Sequence, residues 1–227
     1  MERASDAAYE AIKIWIQTAR VAPGGLIDEA DAARQLSMSR TPVREALLRL
    51  QSEGYIEIGR GKGIRVLPLS AADMRHIYQV ISGLEVVAVS LLARLRPSQK
   101  DLRTLTEATS EMERAARDGN IDVWGEADER FHRELMRLSG NPKLLAVGSH
   151  LRDLAKRAHM VAVRLQTDAY RTRSTGNHKV LIKSILSGDD QAAAARHLEQ
   201  RQRGEDALVG IVEKFNLANL YAFKYIC

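Results

Sequence analysis

Apolar residues recur at helical spacing along most of this chain, and the places where that spacing fails divide it into parts. Ile12, Trp15 and Ile16 share one face of a helix over Ala4 to Thr18, and a second helix spans Asp28 to Leu36. A third runs from Thr41 to Glu53, where Val43, Ala46, Leu47 and Leu50 make one buried stripe. Thr41 can cap that helix, and Pro42 suits a first turn that needs no backbone donor. Between Tyr55 and Val66 the residues turn aromatic and β-branched, the one convincing strand signal, with two short strands flanking Gly59-Arg60-Gly61-Lys62-Gly63 as a hairpin with a basic tip. Beyond Leu67-Pro68-Leu69-Ser70 the chain is helix-periodic again. Ser70 with Asp73 and Ser98 with Asp101 resemble helix caps, while Pro97, Gly119, Gly140-Asn141-Pro142 and Gly188-Asp189 mark breaks. Six helices follow, at about 71–95, 98–118, 121–139, 142–168, 172–187 and 190–213. The expected fold is mainly α: an N-terminal helix-turn-helix with a small β-hairpin over 1–69, an all-α six-helix bundle over 70–213, and a tail over 214–227. The tail carries Phe215, Tyr221, Phe223 and Tyr225, and its role is not legible.

Composition narrows the class of protein. A chain of 227 residues with 45% hydrophobic content buries a real core, which excludes intrinsic disorder and a disulfide-stapled miniprotein. Cys227 is the single cysteine, so no internal disulfide forms, and a reducing cytoplasm is the expected location. The first ten residues have no apolar signal core, and the longest apolar stretch, Tyr78 to Leu92, is interrupted by Gly83 and Glu85. No membrane span is expected. The net charge of +5 permits an anionic partner, but 34 basic residues against 29 acidic ones do not demand it.

The local charge says more. From Arg34 to Pro68 seven basic residues face three acidic ones, and the surplus sits on the third helix and the hairpin tip. Arg40, Thr41 and Arg44 lie at the solvent-facing start of the helix, whose free backbone donors and guanidinium groups suit phosphates and the acceptor edge of guanine. One arginine-rich helix is more often a solvated face. Helix, turn, helix and a basic wing is more specific, because the wing supplies a second anionic contact at a fixed offset from the first. Pro23-Gly24, Ile27, Glu29, Ala33, Leu36, then Ser39 through Leu47, Arg49-Leu50, Glu53-Gly54 and Gly63 through Val66 resemble the winged helix-turn-helix of GntR-family transcriptional regulators. By that resemblance Ser39, Arg40, Thr41 and Arg44, with Arg49 further along the helix, belong to the DNA-binding set, and Arg60, Gly61 and Lys62 enter the minor groove. Ala32 stands where a leucine is usual, and Ser37-Met38 replace a common Gly-Val.

In the second segment Asp128 and His132 are four residues apart on one helical face, His178 lies on another helix, and His197 and Gln200 share a face of the last. An acid–histidine pair at this spacing is more often a surface hydrogen bond, yet three helices converging such groups suit zinc, nickel or manganese. His76, His150 and His159 read as surface or core histidines. Asp128-Glu-Arg-Phe-His132, Leu135, Ser139 to Asn141, Leu144, His178, Ile182, Leu186 and Gly188-Asp189 resemble the helical effector domain of the FadR subfamily. The resemblance implies a metal held by one aspartate and three histidines, with a small carboxylate completing its shell. Asp128, His132 and His178 match the first three positions, Gln200 occupies the fourth by spacing, and His197 lies one turn earlier. Ile81 stands where the family commonly has a ligand-facing arginine, which removes a bidentate carboxylate partner: either the ligand is less acidic than usual, or arginines elsewhere, such as Arg152 or Arg157, hold it.

These features together predict a cytoplasmic, homodimeric regulator that binds a double-stranded DNA operator, a repressor released by a small organic acid bound near the metal. Two rivals remain open. In one the ion itself is the signal; in the other Asp128, His132 and His178 form a hydrolytic centre, against which stands the lack of a nominated general base.

Overall fold

The computed structural model describes residues 3–59 and 63–214, apart from the Arg157 side chain, and contains nine helices and a three-stranded sheet among them. The predicted tip residues Arg60, Gly61 and Lys62 and the tail from Phe215 onward lie outside the described residues. The chain divides between Ser70 and Ala71 into two compact units.

The first unit is built on α1 (Ala4–Gln17), α2 (Glu29–Gln35) and α3 (Arg40–Ser52). Ala8, Tyr9, Ile12, Trp15 and Ile16 of α1 and the Val43, Ala46, Leu47, Leu50 stripe of α3 are buried, and the two helices pack on each other. Asp28 caps α2 by accepting from the Asp31 amide at 2.7 Å. α3 begins one residue earlier than its sequence suggests. Ser39 is the cap residue, with no side-chain cap bond, and Thr41 lies inside the first turn instead of capping it. In the turn before it Ser37 takes a φ of 54°, a left-handed conformation that costs a non-glycine residue about 1–2 kcal/mol.

The hairpin strands β2 (Ile56–Gly59) and β3 (Gly63–Val66) are antiparallel, with Ile58 opposite Ile64 and Gly59 opposite Gly63. A further strand, β1 (Leu26–Ile27), pairs with β3 and gives the order β1-β3-β2. The expectation of a single strand region missed it because two residues show no alternation; the pairing with β3, not local propensity, makes them a strand.

The second unit contains α4 (Ala71–Arg94), α5 (Arg103–Arg117), α6 (Ile121–Leu138), α7 (Pro142–Leu165), α8 (Asp168–Leu186) and α9 (Asp190–Lys214). α4 packs against α6, α7, α8 and α9, while α5 covers α6 and α8. Gly140, Asn141 and Pro142 end one helix and start the next: Gly140 is left-handed at φ 73°, Asn141 accepts from the Lys143 and Leu144 amides, and Pro142 opens α7. Three boundaries differ from the sequence reading by more than a residue or two, among them that of α7, which ends at Leu165 instead of 168. Asp101 accepts from the Ser98 amide and hydroxyl and closes a turn ahead of α5, which delays the helix to Arg103. α8 starts at Asp168, because Thr167 caps it by accepting from the Tyr170 amide.

α4 is long and apolar enough to cross a membrane, but Ile81, Ala88, Val89 and Leu92 pack inside the unit and Glu85 is a buried carboxylate among cations. It is a core helix of the bundle.

Candidate metal centre and DNA-facing helix

Ser39, Arg40, Thr41 and Arg44 are all exposed at the start of α3, and no acidic residue occupies its first turn. An exposed helix start with unopposed donors attracts anions. Arg49 is held differently. Its guanidinium lies over the Tyr9 ring at 3.7 Å and pairs with Glu53 at 3.0 Å and Asp6 at 3.4 Å, so it ties α3 to α1 within this unit. Arg49, expected from the sequence in the DNA-facing set, is thus half exposed and engaged within its own unit.

In the second unit α6 contributes Asp128 and His132, one turn apart, and α8 contributes His178; all three are buried. His178 Nε2 is 3.4 Å from both Asp128 Oδ1 and His132 Nε2, and Asp128 Oδ2 is 3.8 Å from His132 Nε2. Ligand atoms about 2.1 Å from a tetrahedral ion stand about 3.4 Å apart, so the three groups fit a transition metal with little adjustment. Both rings are aimed by their opposite nitrogens. His178 Nδ1 is 2.7 Å from the Ser174 carbonyl, and His132 Nδ1 is 2.9 Å from Glu85 Oε2, which leaves each Nε2 for the ion.

Burial lowers the pKa of His178 to about 4 and pushes that of His132 well below its ordinary value, so both rings are neutral. Burial raises that of Asp128, a carboxylate that a cation would stabilise.

The trio lines a cavity of about 40 Å³, room for roughly three water-sized groups. Gln200 lines it too, as its spacing suggests, but His197, Arg152 and Ile81 do not. His197 is fully buried, with Nε2 3.0 Å from Glu85 Oε2. Arg152 is locked between Glu85 and Glu129, 2.7 Å from each, and Ile81 is packed into the core. The Arg157 side chain lies outside the described residues. Glu85, His132 and His197 form a second triad of ligand types, but Arg152 at 2.7 Å and Arg201 at 3.3 Å already neutralise Glu85. Burial acts to raise the Glu85 pKa, yet Arg201, His132 and Arg152 outweigh it and hold the carboxylate well below its usual range. A cation is unwelcome there.

Sequence reasoning passed over three residues of this region. His159 lines the cavity, with Nδ1 hydrogen-bonded to the Tyr78 hydroxyl and Nε2 3.9 Å from Asp128 Oδ2. Glu85 centres the buried ion pairs, and Arg201 bridges that cluster and the cavity. A signal existed for Arg201: His197, Arg201 and Glu205 recur every four residues on the buried face of α9. His159 had none, since Ala155, Ala158 and Ala162 around it read as plain core.

Residues 4–66 match the model of the bacterial regulatory proteins of the gntR family, and residues 76–200 match the FCD domain. The chain is 43% identical over 132 residues to an uncharacterized HTH-type transcriptional regulator of the TAR-I ttuE-ttuC' intergenic region of Agrobacterium vitis, covering 57% of this chain and 77% of that one. It is 27% identical over 187 residues to the gluconate operon transcriptional repressor of Bacillus subtilis, covering 80% and 75%. Among solved structures, E. coli McbR/YncC superposes with a TM-score of 0.76 at 21% identity, over 95% of this chain and 100% of the other, a likeness of fold. With its winged helix-turn-helix and its helical second unit, the chain belongs to the gntR family of bacterial regulatory proteins, as a DNA-binding transcription regulator with an FCD domain and not an enzyme.

Proposed function

We propose that this regulator, a cytoplasmic homodimer of the FadR subfamily, represses its operator through Ser39, Arg40, Thr41 and Arg44, with Arg60, Gly61 and Lys62 as the wing contact. A small carboxylate, bound beside a divalent zinc, nickel or manganese ion in the FCD domain, releases it. The observation that carries the reading is the convergence of Asp128, His132 and His178 on one cavity wall at ligand–ligand spacing. The ion would supply positive charge and open coordination positions for the acid; Glu85 and the Ser174 carbonyl orient the imidazoles. Gln200 stands at the cavity as a neutral fourth group, a weaker donor than imidazole. A relative named for repressing a gluconate operon is consistent with an acid as signal.

The dimer has its own support. Val80 and Val87 on α4 and Val147 on α7 are about half exposed, large apolar side chains suited to a second copy. Two copies also match a two-fold operator, since one recognition helix buries too little surface for a specific site. Release requires that the acid bind the DNA-competent and incompetent states unequally.

The test is elemental analysis of the purified protein, joined to operator titration with and without chelator and short organic acids. One ion per chain and an acid-dependent loss of operator affinity are expected. A folded protein that takes up none of the three metals would overturn the metal; operator binding unmoved by every acid would overturn the carboxylate.

A further inference from the structure

The outward face of α3 changes character along its length. At about 100° of turn per residue, Val43, Ala46, Leu47 and Leu50 share one side, and Leu48 projects about 150° from the middle of that stripe. Its side chain is 52% exposed, turned away from the core of its own unit. Thr41, Arg44 and Leu48 are all exposed, and their spacing of three and then four residues sets them in one row along the helix. Leu48 therefore continues the row that begins with Thr41 and Arg44, about 6 Å beyond Arg44 along the axis.

The neighbours of Leu48 on that face narrow what it can touch. Glu45, Gln51 and Ser52 are exposed around it, and none of them is a cation. Arg49, one position on, is turned to Tyr9 and Glu53. A phosphate is drawn to guanidinium, ammonium or free backbone amides, and the amides in the middle of a helix are already spent on its own carbonyls. The carboxylate of Glu45 would repel a phosphate strand. The basic start of α3 thus suits the phosphates and the guanine edge, while its middle suits base edges in the major groove. There the apolar group that the bases display is the C5-methyl of thymine. A leucine matches that methyl in polarity and makes no hydrogen bond, so it prefers thymine without dictating any other contact.

We infer that Leu48 reads the C5-methyl of an operator thymine. The 6 Å or so between Leu48 and Arg44 along the helix, against a rise of about 3.4 Å per base pair, puts that thymine about two base pairs from the base that Arg44 meets. The inference rests on the reading of Arg40 and Arg44 as operator contacts and adds to it a residue that sets sequence preference.

The duplex for the test comes from selection, in which the full chain enriches binding sequences from a randomised library. Each thymine of the enriched duplex, with its symmetry mate, is then replaced by deoxyuridine, which removes the methyl and keeps the base pair. One such replacement should weaken wild type by about fourfold per half-site, the worth of one buried methyl. Leu48→Ala should bind the thymine duplex more weakly than wild type does and be indifferent to that same replacement. Because Leu48 is exposed, the alanine variant should keep its fold, which thermal melts verify. An enriched duplex in which no thymine methyl matters to wild type overturns the inference. So does a Leu48→Ala protein that loses as much as wild type on the replacement. A Leu48→Ala protein that no longer dimerises in light scattering assigns the residue to a subunit contact and also overturns it. Arg40→Ala and Arg44→Ala keep the two readings apart. If neither weakens operator binding, the DNA-facing start of α3 falls; if they do and the deoxyuridine scan is flat, only the role of Leu48 falls.

Discussion

His197 and Gln200 stand three residues apart on α9, and of the two only Gln200 reaches the cavity wall. Sequence spacing nominates either for the fourth place in a metal shell; the geometry separates them, because His197 gives its Nε2 to Glu85. His132→Ala and His178→Ala should therefore abolish stoichiometric zinc. His197→Ala should retain one ion per chain, weakened by no more than about tenfold through the loosened Glu85–His132 contact, as read by elemental analysis and chelator competition. A folded His197→Ala protein without zinc would return that histidine to the shell. Ser37 offers a second test at this scale. Glycine removes the left-handed strain at φ 54° but frees the unfolded chain, so Ser37→Gly should stabilise the first unit by about 0.5–1 kcal/mol in urea denaturation.

α3 combines a buried stripe with an exposed basic start. Val43, Ala46, Leu47 and Leu50 hold it to the core, while Arg40 and Arg44 stay free at its start. Arg40→Ala or Arg44→Ala should weaken operator binding by about 1–3 kcal/mol where a guanine edge is read, and by less where only phosphate is met. Arg49→Ala should instead show its effect mainly in stability, because that side chain bridges Tyr9, Asp6 and Glu53. Titration of a labelled operator beside thermal melts distinguishes the two outcomes. The helices were legible because their stripes and caps are local: Gly140-Asn141-Pro142 names its own boundary. β1 was not, since Leu26 and Ile27 become a strand only when β3 arrives. Asp128, His132 and His178 could be read from spacing and resemblance. Glu85 and Arg201 could not, because their roles come from pairing across 67 to 119 positions of sequence.

At the scale of the whole molecule, acid should act chiefly on the second unit. Burial depresses the pKa of His132, His159, His178 and His197 there. Below about 6.5 the unfolded chain takes up protons that the folded unit refuses, so stability present above that pH is lost as pH falls toward 4. Asp128, raised by burial, works in the opposite sense and softens the loss. For His178 alone the full loss is on the order of 3 kcal/mol, complete only below about pH 4; about 2 kcal/mol of it falls between pH 7 and 5, measurable by urea denaturation of metal-free protein. Equal stability across that window would contradict the neutral histidines. Glu85 has a further consequence. One carboxylate from α4 receives His132 from α6, Arg152 from α7, and His197 and Arg201 from α9. None of these neighbours can be replaced alone without stranding a charge or a ring nitrogen in the interior. In descent, then, the five positions should be inherited as a block, and a lineage that changes one should carry compensating changes at the others.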